Sequence, residues 1–105
     1  MAQLTAEKRE ELKTKHKRVY LYQDEEAGDF VFTTATQDVW DEFIDSVQSD
    51  NTSAPTRTLI DNCVVFPEMG ELQQVHKEYP ALADTLARMI REKSGGRKNA
   101  EAKKL

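Results

Sequence analysis

Apolar positions along the chain change their period several times, and each change marks an element. Between Met1 and Val19 the chain holds only two large apolar side chains, Leu4 and Leu12, among many charges. Thr5 is placed to cap a polar helix there, with Glu7 near its positive end. So little apolar surface predicts a helix that frays or waits for a partner. The stretch RVYLYQDEEAGDFVFTT then shortens the period to two. Val19–Tyr22 and Phe30–Thr33 are β-branched and aromatic runs, and QDEEAGD between them supplies turn chemistry, so a β-hairpin is predicted. Alternation sets Val19 and Leu21 on one face of the first strand and Tyr20 and Tyr22 on the other. On the return strand Phe30 and Phe32 share a face opposite Val31. The hairpin is expected to bury one face and to leave Tyr20, Tyr22 and Val31 available.

Helical spacing follows. Thr36 is the expected N-cap of a helix whose stripe is Val39, Trp40, Phe43, Ile44 and Val47, with Asp41, Glu42 and Asp45 off that stripe. SDNTSAP reads as a loop. From Pro55 a second stripe runs through Leu59, Ile60, Cys63 and Val64 as far as Pro67, because the residue before a proline is pushed out of the helical region. A third helix places Met69, Leu72, Val75 and Tyr79 inward. A fourth, from Pro80, carries Leu82, Leu86, Met89 and Ile90 and stops at Ser94-Gly95-Gly96. The predicted fold is α+β, a small β-hairpin packed against a bundle of four to five short helices. Residues 1–18 form the polar N-terminal helix, 19–92 a single globular domain, and 93–105 a flexible basic tail.

Charge sharpens this division. The chain of 105 residues has a formal net charge of −4. Residues 1–18 are net +3, residues 91–105 net +4, and the segment between them net −11. An acidic body with basic ends suits head-to-tail self-association or a partner of mixed sign, and the plainer reading is that solvated ends keep the chain soluble. It is opposite to the footprint of a protein that binds a nucleic-acid groove, so such binding falls to the ends alone, weak and salt-dependent. The single cysteine excludes an internal disulfide. No apolar run approaches the roughly 20 residues of a membrane span, and the N-terminus lacks the apolar stretch of a signal peptide. The expected location is the cytoplasm.

Candidate chemistry is sparse. A nucleophilic cysteine needs a lowered pKa and a neighbouring base, whereas Cys63 falls on an apolar stripe and is expected to fill the core. His16 and His76 are far apart in sequence, and with one cysteine they do not have the spacing of a zinc site. A site from Asp61, Cys63 and His76 needs two helices to converge. His76 is instead expected at a helix end, where a cation meets the negative dipole. The carboxylates lie on polar helix faces, EEAGD lacks the spacing of a calcium loop, and no Gly-rich phosphate loop occurs. No cofactor, metal or catalytic residue is assigned. What remains is an interaction protein with Leu4, Leu12, Tyr20, Tyr22 and Val31 as candidate partner-binding residues. The alternative is a small nucleic-acid-associated or regulatory protein that uses its basic ends.

Longer stretches carry a resemblance. FVFTTATQDVWDEFIDSV, followed by TRTLIDNCVVFPEMGELQQVHKEYPALADTLARMI, resembles small tailed-phage and prophage proteins of the tail assembly chaperone type. The shared features are a strand leading into a Thr-capped helix with Trp40 and Phe43, the Cys63–Pro67 run, and the Tyr79–Leu82 start of the last helix. The resemblance covers about residues 18–92. It implies a non-enzymatic role in virion morphogenesis, binding a phage structural protein of the tape measure or tail tube type; the hairpin face, first helix and split charge separately suit a homo-oligomer. It supplies no catalytic residues. With Cys63 in the core, Cys63→Ser is expected to cost on the order of 1–3 kcal/mol of stability for a poorly satisfied buried hydroxyl. Chemical denaturation measures that cost. A serine variant that stayed fully folded and lost all function would refute the core assignment.

Overall fold

The computed structural model describes residues 3–97 and 100–105. Eight elements follow one another: α1 (Ala6–Lys15), β1 (Val19–Asp24), β2 (Gly28–Thr33), α2 (Gln37–Val47), α3 (Ala54–Cys63), β3 (Val64–Phe66), α4 (Met69–Glu78) and α5 (Leu82–Lys93). The fold is α+β, as expected. The predicted caps form: Thr5 Oγ1 accepts from the Lys8 N–H at 3.2 Å, and Thr36 Oγ1 from the Val39 N–H at 3.3 Å. Residues 98 and 99 of the basic tail lie outside the described residues. Residues 100–105 are exposed and carry no helix or strand.

The sheet has three antiparallel strands in the order β1-β2-β3 rather than two. Residues 64–66 were expected to continue a helix up to Pro67. They form a strand instead, because Val64, Val65 and Phe66 can pair with the open edge of β2, and such residues favour a pleated surface. Val31 pairs with Phe66 and Phe32 with Val64, so Val65 is an extra residue that bulges the strand.

The β1–β2 register aligns Tyr20 with Phe32, Leu21 with Val31 and Tyr22 with Phe30. Directly paired residues share a face, so the tyrosines lie with the phenylalanines and Val31 lies on the opposite face with Leu21. The expectation that Tyr20, Tyr22 and Val31 share one open face is therefore corrected. Tyr20 stacks on Phe32 with ring centroids 5.7 Å apart, and Tyr22 on Phe30 at 6.3 Å. Behind these pairs lies the core. Phe30 is buried with Ala27, Ile60, Leu72, Val75 and Leu86. Phe32 is buried with Leu59, Cys63, Ala87 and Ile90. Each large side chain so buried contributes about 1.5–3 kcal/mol.

The other sheet face is covered by α1. Leu12 and Val31 are each 4% exposed. Leu4, Leu12, Val19, Leu21 and Val31 line a crevice of about 200 Å³ between helix and sheet. The Leu4 N–H donates to Asp29 Oδ2 at 2.8 Å and fastens the start of α1 to β2. The N-terminal helix is thus docked, which corrects the expectation that it frays or waits. Two leucines suffice because the sheet offers Val31 and Leu21 to meet them.

Asp24 closes the hairpin turn. Its Oδ2 accepts from the Ala27 N–H at 2.9 Å and the Glu26 N–H at 3.2 Å, while Oδ1 accepts from the Tyr22 hydroxyl at 2.8 Å. Gly28 follows at φ 98°, where only glycine is unstrained. These bonds, that from Ala27 first, hold the Asp24 carboxyl below its ordinary pKa. A depressed carboxyl pKa gives stability that is complete above the unfolded value near about 3.9 and is lost as pH falls through the folded value. Asp24→Ala is expected to cost about 1–3 kcal/mol at neutral pH. Thermal melts across acidic pH should show wild type and variant converging as the pH drops, and parallel curves would refute the assignment.

Candidate functional site

α2 is the element whose apolar side chains the fold does not use up. It is 11 residues long and none of them is buried, although its stripe is stronger than those of α3 and α4 and second only to that of α5. Its inner edge, Val39 and Phe43, packs against the Phe32–Leu59 cluster. Trp40 stacks on Phe43 at 4.8 Å and is half-buried. Beyond it Ile44 is 45% and Val47 56% exposed. The expected inward stripe is thus split along its length. The inner half anchors the helix, and Trp40, Ile44 and Val47 form a ridge open to solvent.

The position of α2 follows from its neighbours. The Ala35 N–H donates to Ser94 Oγ at 2.8 Å, and that hydroxyl donates to the Ile90 carbonyl at 2.7 Å. The entry to α2 is thereby tied to the exit of α5. Gly95, at φ 112°, turns the chain there. A crevice of about 370 Å³ results, with Trp40 on one side and Arg88, Arg91 and Arg97 on the other. Arg88 pairs with Glu92 at 3.2 Å. Arg97 Nη1 donates to the Glu92 carbonyl at 3.1 Å. On the far side of the ridge, helical spacing places Asp41 and Asp45 one position after Trp40 and Ile44, a rotation of about 100°. The ridge is bordered by arginines along one edge and carboxylates along the other.

The candidate partner-binding residues fall elsewhere. Leu12 and Val31 are buried against each other's elements, and Leu4 is half-buried beside them. Tyr20 and Tyr22 are half-buried on the core side of the sheet. Lys93 Nζ lies 5.1 Å over the Tyr20 ring, and the Tyr22 hydroxyl is held by Asp24. Four of the five, Leu4, Leu12, Tyr20 and Val31, line the crevice of about 200 Å³ beside α1, and Tyr22 lies outside it. Periodicity found Trp40, Ile44 and Val47 but assigned them inward. Met69, also expected inward, is 46% exposed.

Cys63 is buried at 1% exposure, as expected, and burial pushes its thiol up to about 11, so it stays protonated at neutral pH. His76 does lie in the last turn of α4, but not as a cation. Burial, with help from Arg57 and against Asp61, holds its pKa below the ordinary value, so the ring is neutral at pH 7. Its Nε2 is buried without a hydrogen-bond partner. It lines a cleft of about 630 Å³ between α3, α4 and α5, together with Arg57, Asp61 and Lys77. Among the described residues no three His, Cys, Asp or Glu side chains converge to hold a metal. None of the helices there is long and apolar enough to cross a membrane.

Residues 4–103 match the family described as a domain of unknown function, DUF6848. The chain belongs to the DUF6848 family. It is also similar to a solved structure, the uncharacterised protein rbstp2171 from Bacillus stearothermophilus. The two are 28% identical with a TM-score of 0.75, over 90% of this chain and 99% of that one. No curated protein matches the chain. The family assignment covers α2 and every element that positions it. For this DUF6848 chain, Val47→Asp should leave stability within about 0.5 kcal/mol of wild type, since the side chain is already in water. A loss above about 2 kcal/mol in urea denaturation would place Val47 in the core and remove the ridge.

Proposed function

We propose that this protein is a non-enzymatic binding protein of the tail assembly chaperone kind, acting in the cytoplasm on a phage structural protein of the tape measure or tail tube type. The observation that supports it is α2: a strongly amphipathic helix, docked by its inner edge, with no side chain buried. An exposed apolar ridge on an acidic body is the surface a holding protein needs. It offers contact area to an incompletely assembled partner, and surrounding charge disfavours indiscriminate aggregation. The sequence resemblance over residues 18–92 supplies the class of partner. The contact is assigned to Trp40, Ile44 and Val47, since Leu12 and Val31 serve the fold.

Affinity capture from a lysate of the native host or lysogen tests this, with wild type compared against an Ile44→Asp/Val47→Asp variant at low and high salt. A long helical tail protein, identified by mass, should be retained by wild type at both salts and retained at least about tenfold less by the variant, since truncation of a central anchor costs this much or more. Recovery of nucleic acid alone, released at high salt, would overturn the proposal in favour of the basic ends. Equal capture by both proteins would overturn the assignment to α2.

A further inference from the structure

The two edges of the α2 ridge have opposite charge, which restricts what can lie on it. Going round α2 from the core, Val39 and Phe43 come first, then Val47 and Trp40, then Ile44, then Asp41 and Asp45. Arg88, Arg91 and Arg97 stand across the crevice on the Trp40 side. α2 contains four acidic residues and no basic one, and among the described residues none of the four is in an ion pair. Arg91 likewise has none there. The carboxylate edge therefore carries charge that the described residues leave uncompensated, and the arginine edge does so at Arg91, whereas Arg88 is paired with Glu92, which also lines the crevice.

We infer that the face is self-complementary and that a second copy of this chain occupies it, ridge against ridge, with the carboxylates of each copy facing the arginines of the other. The inference rests on reading α2 as an interaction surface, and it names what covers that surface when no client is present. The symmetry follows from the charges. A two-fold axis running parallel to α2 sets the two helices side by side in the same direction. It places Asp41 and Asp45 of each copy opposite Arg88 and Arg91 of the other, on both sides of the ridge. A two-fold axis across the helix reverses its direction and sets carboxylate against carboxylate, which is repulsive. The contact is isologous and closes at two subunits. Its centre is small, three side chains per copy, so a client with a longer apolar helix displaces it. Self-association thus protects the ridge without sealing it.

Sedimentation velocity on the full chain tests the inference, with emission from Trp40, the only tryptophan in the chain, followed on dilution as a second probe. Wild type should show a concentration-dependent monomer–dimer equilibrium that weakens as salt rises. Arg88→Glu/Arg91→Glu and Asp41→Arg/Asp45→Arg should each dimerise at least about tenfold more weakly. An equimolar mixture of the two should recover a heterodimer within about threefold of the wild-type affinity, because the reversed charges face each other again on one side of the contact while the other side is native in both chains. Circular dichroism confirms that each variant is folded, and Arg91→Gln and Asp45→Asn serve as milder replacements. Wild type that stays monomeric at about 1 mM overturns the inference, as does a mixture no tighter than its components. A dimer with no capture of a tail protein defeats only the proposed function, and capture by a strictly monomeric protein defeats only the second copy.

Discussion

The stacking of Tyr20 on Phe32 and of Tyr22 on Phe30 is the contact from which the rest of the structure is organised. A two-stranded hairpin alone is marginal in water, and these aligned aromatic pairs turn it into a surface that helices can cover. Phe30 and Phe32 each nucleate one buried cluster, and Tyr22, Val64 and Met89 touch both, so the two clusters behave as a continuous layer under the sheet. Once the aromatic face is committed to α3 and α5, the opposite face carries Leu21 and Val31 and needs a cover of its own. α1 provides it with Leu12 and Leu4. The short strand after α3 then pairs with the free edge of β2, which leaves β1 and the three-residue β3 as the edges of the sheet.

This arrangement explains why some elements were legible in the sequence and others were not. Local chemistry was enough for the caps at Thr5 and Thr36, for the hairpin with its Gly28 turn, and for the stop at Gly95, because each is decided within a few residues. Cys63 was legible too, since its neighbours on the helical stripe are all large and apolar. The strand at Val64–Phe66 was not. Three residues give no usable period, and what makes them a strand is the free edge of β2, where Val31 and Phe32 meet Phe66 and Val64. The docking of α1 was hidden for a related reason. Two leucines on a polar helix say nothing about the complementary face offered by Leu21 and Val31.

The candidate site was half legible. Periodicity identified Val39, Trp40, Phe43, Ile44 and Val47 as one stripe, and that grouping stands. Whether a stripe is buried depends on how much surface its neighbours present, which no local pattern encodes. Here α3 meets only the inner edge, and α5 contributes arginines rather than apolar side chains beside Trp40. The exposed tyrosine face assigned to partner binding failed on register. Alternation along each strand was right, but it does not say which face of β1 lies with which face of β2.

A buried stripe would have stabilised the domain further, because Ile44 and Val47 together leave apolar area in water that burial would remove at about 25 cal/mol per Å². The fold forgoes that gain even though α2 is otherwise well specified, with a Thr36 cap, Asp38 in its first turn and a tie from Ala35 to Ser94. A poorly specified helix could be exposed merely through weak packing. Here the helix is capped and tied at its entry while its ridge is left open, and preorganisation of that kind lowers the entropic cost of binding. The opposite charges along the two edges add orientation to the ridge. A partner matched only in hydrophobicity would gain contact area there, but one matched in charge as well is held in a single direction.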